Sequence, residues 1–180
     1  MRTAALITVF VVLAGVFCGG GKPAVSGTKW PKESTDPLTE ADVAQFIKLV
    51  PTLNAALAAG GWTTPPPKVG EGMDVWLVSF VNGMNGIPGV NESLKTAGSS
   101  WSKMRAIMFR VIPAVHAVTI DKTATPELIE QLRKDTTAAN KQYLKHLEEA
   151  KAALAQIPSA NKELVSKHTH ELMTIKIRGR

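Results

Sequence analysis

The sequence predicts an all-α fold, an antiparallel bundle of four to five helices behind a cleaved export signal and a flexible tether. Three observations carry that prediction. Apolar residues recur at three- and four-residue steps over long stretches, the period of one face of an α-helix. Helix-starting and helix-stopping residues bracket those stretches. No segment alternates apolar and polar residues as a half-buried strand does. Val75 to Val81 is apolar enough for a strand, yet Met73 and Met84 extend a helical period across it. The chain then divides into a signal at 1–18, a disordered tether at 19–37 and a helical domain at 38–180.

Arg2 supplies a positive start, and Ala4 to Phe17 form an almost unbroken apolar run that ends at Cys18, the only cysteine. The run is shorter than the ~18 to 20 residues that cross a bilayer, so it reads as an export signal. Two processing routes fit. In one, Cys18 is acylated and becomes the first residue of a lipoprotein, with Gly19, Gly20 and Gly21 opening the tether. Phe17 is bulkier than the small residue that usually precedes such a cysteine. In the other, cleavage follows the small residues of Ala24-Val25-Ser26 and leaves a soluble chain starting near Gly27. Gly, Pro, Ser, Thr and Lys dominate 19–37, with Trp30 its one large apolar residue, which predicts disorder.

The first helix starts at Thr39 as cap, with Glu40 and Asp42 at the positive end of its dipole. Val43, Phe46, Ile47, Val50, Leu53 and Leu57 make its apolar face. Pro51 predicts a kink or break after Val50. Gly60 and Gly61 end the helix, and Pro65-Pro66-Pro67 forms a stiff extended link. The second helix carries Met73, Trp76, Leu77, Phe80, Val81 and Met84. Glycines and Pro88 then predict a loop over 82–97, with at most one helical turn near Glu92. Ser99 or Ser100 caps a third helix whose stripe runs from Trp101 to Val118, bent at Pro113. Thr125, Pro126 and Glu127 are a strong start signal for a fourth. Its stripe of Leu128, Leu132, Ala139, Tyr143, Leu147, Ala150, Leu154 and Ile157 predicts one rod of ~50 Å, the spine of the domain. Pro158-Ser159 opens a fifth helix lined by Leu164, His168, Leu172 and Ile175.

A single cysteine excludes an intramolecular disulfide, so the domain depends on its core alone. The net charge of +6 is mild and dispersed. Its one local cluster, Lys176, Arg178 and Arg180, lies at the C-terminus. With no basic stripe beside aromatic or groove-reading elements, nucleic acid is not an expected partner. Asn91-Glu92-Ser93 is a glycosylation sequon, meaningful only in a eukaryotic secretory route.

Catalytic signatures are absent. There is no Gly-x-Ser-x-Gly elbow or phosphate-binding loop, and Gly83, Gly86 and Gly89 read as turn formers. Without Cys-x-x-Cys-His, covalent c-type haem is excluded. His170-Glu171 begins a His-Glu-x-x-His pattern that fails at Thr174. His168, His170 and Glu171 are the nearest approach to a metal-ligating group, with His146 across from them. On one helix, however, His168 and His170 lie about 200° apart. His168 is instead expected as a hydrogen-bonded core residue, His170 as a surface one, and His116 as a residue near a helix end that tolerates its charged form. Met73, Met84, Met104 and Met108 read as packing material and not as ligands. Trp62, Ile87 and Val90, in the two irregular loops, are the expected apolar partner surface, against the plainer reading that they close the end of the bundle.

The expectation is therefore an exported bacterial cell-envelope protein, non-enzymatic and without cofactor, acting as a binding or structural module. Its partner would be an envelope protein or small ligand, with membrane attachment through Cys18 if acylated. The alternative from another class is a periplasmic carrier of a small ligand, haem or metal held between helices.

Overall fold

A computed structural model describes residues 30–66 and 71–177, and every described regular element is helical. Eight α-helices follow a short 3-10 turn at Lys32–Thr35. They are α1 (Glu40–Ala59), α2 (Met73–Gly83), α3 (Val90–Thr96), α4 (Trp101–Thr123), α5 (Pro126–Lys134), α6 (Ala138–Leu154), α7 (Ser159–Lys167) and α8 (Thr169–Thr174). The expected four or five helices are thus too few. The export signal, Cys18 and the far C-terminal arginines lie outside the described residues.

α1 begins with a reciprocal capping box. The Thr39 hydroxyl accepts from the Asp42 amide, and the Asp42 carboxylate accepts from the Thr39 amide at 3.1 Å. The helix runs unbroken through Pro51, against the expectation of a break. Pro51 is exposed, so its ring meets solvent and not a neighbouring helix. Val43, Phe46, Leu49, Val50, Leu53 and Leu57 are buried on the opposite side. The helix stops at Gly60, and Gly61 takes a left-handed φ of 71° that turns the chain away.

The stretch 82–97 holds more order than its glycines suggest. Gly89, at φ 84°, leads into the full helix α3, whose Val90 and Leu94 are completely buried. α4 starts with the Ser100 hydroxyl capping the Lys103 amide and continues through Pro113 without interruption. This helix, not the fourth apolar stripe, is the spine. It packs against the 3-10 turn and against α1, α2, α3, α6 and α7. Met104, Ile107, Met108, Phe109 and Ala114 on it are wholly buried. At about 1.5 to 3 kcal/mol for each large side chain removed from water, this helix supplies a major share of the stabilising burial.

The expected single rod over 126–157 is two helices. α5 is capped by Thr125 with Pro126 at its first position, as its sequence signal predicts, but it ends at Lys134. Asp135 turns the chain: its carboxylate accepts from the Thr137 amide at 2.8 Å and the Asn140 side-chain amide at 2.7 Å. Thr137 then caps α6. The break turns Tyr143 outward, where it is 38 % exposed, while Leu147 stays buried. The last stripe is also divided, at His168, between α7 and α8.

Candidate functional site

Polar side chains of α4 and α7 converge on the N-terminal arm, residues 30–38. The sequence reading placed 30–37 in a disordered tether, and the structure corrects this. Trp30 is buried, and its indole N–H donates to the Ala153 carbonyl at the end of α6, at 2.7 Å. The 3-10 turn follows, pressed against α4. Asn161 on α7 is completely buried and has both ends of its amide satisfied by the arm. Its Oδ1 accepts from the Leu38 amide at 2.8 Å, and its Nδ2 donates to the Asp36 carbonyl at 2.9 Å. A buried asparagine would otherwise carry a desolvation cost, so this pairing fixes where the arm enters.

Two arginines of α4 grip the same arm from the other side. Arg110 forms a two-pronged pair with Asp42, at 3.0 and 3.3 Å, and donates to the Pro37 carbonyl at 2.8 Å. Both partners are largely shielded, which strengthens a charge-assisted pair over a surface one. Arg105 reaches Glu33 at 2.8 Å, lies 4.5 Å from the centre of the Phe109 ring and donates to the Asn82 side chain. A backbone N–H together with the Arg105 guanidinium holds the Glu33 carboxyl below the usual carboxylate range. Ser34, in the middle of the turn, is fully buried with no hydrogen-bond partner for its hydroxyl among the described residues.

The expected partner surface does not form an exposed patch. Val90 is fully buried and Trp62 nearly so, while Ile87 is half-buried and packs on Gly60 so closely that a Cβ there would collide with it. Trp62 meets the Phe80 ring edge-on at 5.5 Å, and Trp76 stacks on the same ring at 4.8 Å. The Trp76 indole N–H donates to the Pro65 carbonyl at 3.2 Å. These residues close the end of the core, the plainer of the two readings.

The histidines separate instead of converging. His168 takes a carboxylate on each ring nitrogen: Glu171 on Nδ1 at 3.0 Å and Glu40 on Nε2 at 2.7 Å. It therefore ties the α7–α8 junction to the start of α1 and is not the core residue its stripe implied. The two carboxylates raise its pKa above the ordinary 6.5, Glu171 contributing most. The two ring nitrogens point apart, so the carboxylates they hold do not meet at one ion. His170 is exposed. Among the described residues, no three of His, Cys, Asp and Glu are grouped so as to hold a metal ion. Burial pushes the pKa of His116 down to about 4, so it is neutral in the fold and not the tolerated cation expected.

One open groove, of about 530 Å³, runs between α4 and α7 beside Val118. Lys122, Lys162, Lys167, Asp121 and Glu163 line it, and Lys162 is paired with Asp121 at 3.3 Å. The groove is wide open to solvent, with charged side chains of both signs along it. No described helix is long and apolar enough to cross a membrane. No family model, curated protein or solved structure matches this chain.

The arm contacts were missed in the sequence for a definite reason. Asn161 and Trp30 lie more than a hundred residues apart from their partners, and neither belongs to a periodic stripe. The one available signal was Trp30 itself, a large apolar residue in a polar segment.

Proposed function

We propose that this chain is an exported cell-envelope protein, carried by its N-terminal signal, whose antiparallel helical domain works without catalysis as a binding or structural module. The docked arm is the observation that supports this best. Polar side chains that would otherwise be available for chemistry (Asn161, Arg105, Arg110 and Asp42) are committed to holding residues 30–38 in place. Trp30, twelve positions after Cys18, is already docked on α6, so an acyl anchor at Cys18 would keep the domain close to the membrane surface. Fully extended, the intervening residues reach no further than ~40 Å.

Cell fractionation with intact-mass measurement tests the proposal. The expected result is envelope-associated protein that has lost its first residues and either starts at an acylated Cys18 or begins near Gly27. In the first case Cys18→Ser releases the protein or leaves the precursor uncut. Cytosolic protein that retains Met1 would overturn the reading.

A further inference from the structure

The junction between α2 and α3 holds two Asn-Gly pairs, Asn82-Gly83 and Asn85-Gly86, and the fold treats them differently. An asparagine followed by glycine is open to attack by the next backbone nitrogen on its own side-chain carboxamide. Glycine has no Cβ to crowd the approach and leaves the backbone free to turn. Asn82-Gly83 is protected on both counts. Gly83 is the last residue of α2, with its amide in the helical ladder, and the Asn82 carboxamide oxygen is held by Arg105 Nε at 3.2 Å. Asn85-Gly86 has neither restraint. Both residues are exposed in the turn, and no acceptor among the described residues takes the Gly86 N–H or fixes the Asn85 side chain. The neighbouring amides of Asn85 and Ile87 are engaged, with Asn82 and Met84 carbonyls, so of these three consecutive amides only that of Gly86 is unrestrained among the described residues.

We propose that Asn85 is a site of spontaneous deamidation in the folded protein. The Gly86 nitrogen forms a bond to Asn85 Cγ, the Cγ–Nδ2 bond breaks, and the displaced proton leaves with ammonia, closing a five-membered succinimide. Solvent water then opens the ring. Cleavage at Cγ gives aspartate, and cleavage at the main-chain carbonyl carbon gives isoaspartate, which routes the backbone through the side chain. Either product places a new carboxylate in a turn whose Ile87 packs on Gly60 and which leads into the buried start of α3 at Val90.

Ageing the purified protein at mildly alkaline pH, with peptide mapping by mass spectrometry, is the test. Aspartate and isoaspartate should accumulate at position 85 first. Position 82 should lag at least about tenfold, the factor given by ~1.4 kcal/mol of local opening. Asn85→Gln should remove the fast acidic species. Gly86→Ala should slow it without lowering the melting temperature, because a Cβ at Gly86 meets no atom within 4 Å. In denaturant, positions 82 and 85 should react at similar rates. The proposal fails if position 82 keeps pace in the folded protein, or if position 85 stays intact while the denatured chain reacts. It fails equally if the tenfold difference survives denaturation, since local sequence and not the fold would then be its cause.

Discussion

At the scale of single residues, two buried polar side chains, Asn161 beneath the arm and Ser34 within it, make opposite predictions. Asn161 has both amide ends paired, so Asn161→Ala removes two hydrogen bonds and strands the Leu38 amide and Asp36 carbonyl. The expected cost is about 1 to 3 kcal/mol by denaturant titration. Ser34 carries an unpaired buried hydroxyl, and Ser34→Ala should leave stability unchanged or raise it by about 1 kcal/mol. The two histidines divide the pH axis in the same way. Charged His168 is favoured by the fold, so its contribution is complete below the ordinary 6.5 and is lost as pH rises through its raised folded value. Neutral His116 is favoured instead: its cost is absent above 6.5 and grows as pH falls toward about 4. The melting temperature should therefore decline on both sides of neutrality. His168→Gln should flatten the alkaline limb alone and His116→Gln the acidic limb alone; a swap of these effects would contradict both assignments.

At the scale of elements, the arm and the α5–α6 pair are where structure and sequence diverge most. Trp30→Ala should cost about 3 kcal/mol or more, the usual result of truncating a packed tryptophan, whereas a tether residue would cost nothing. Leu147→Ala should cost ~2 to 5 kcal/mol. Tyr143→Ala, one turn away on the same expected stripe, should cost clearly less than Leu147→Ala, because Tyr143 is 38 % exposed where Leu147 is buried. Equal losses at the two positions would mean that α6 is covered on both faces. The helical class, the caps at Thr39, Ser100 and Thr125 and most buried positions of α1 and α4 were legible in the sequence, because caps and 3.6-residue stripes are local signals. The break at Asp135–Thr137 was harder to see. No glycine or proline marks it, and the apolar spacing passes over it in phase. Its only trace is the Asp135-Thr136-Thr137 run, three residues suited to side-chain capping. Prolines misled in the other direction, since Pro51 and Pro113 both sit inside helices that tertiary packing keeps continuous. For the candidate site, the apolar residues of the loops were visible, but whether they faced solvent or core was not. Burial of Val90 depends on α3 packing against α1, and burial of Trp62 on its meeting Phe80 of α2, which no local pattern records.

At the scale of the whole molecule, far-ultraviolet circular dichroism should be helix-dominated, and a sheet-rich spectrum would refute the fold. Unfolding should proceed as one transition, because a single cluster of buried side chains runs from Trp30 to Leu172. Loss of Trp30 burial well before loss of helix would show that the arm is a separate unit. The clasp that seats the arm also sets an order of events. Its hydrogen bonds join residues 123 to 125 positions apart, Trp30 with Ala153, Leu38 and Asp36 with Asn161. A chain delivered from its N-terminus, by a ribosome or through a membrane, presents Trp30 long before its receptors exist. Closure of so long a loop is entropically costly and slow, so Trp30 is among the last to settle. Such a chain stays unlocked, and able to be threaded, until almost all of it has arrived.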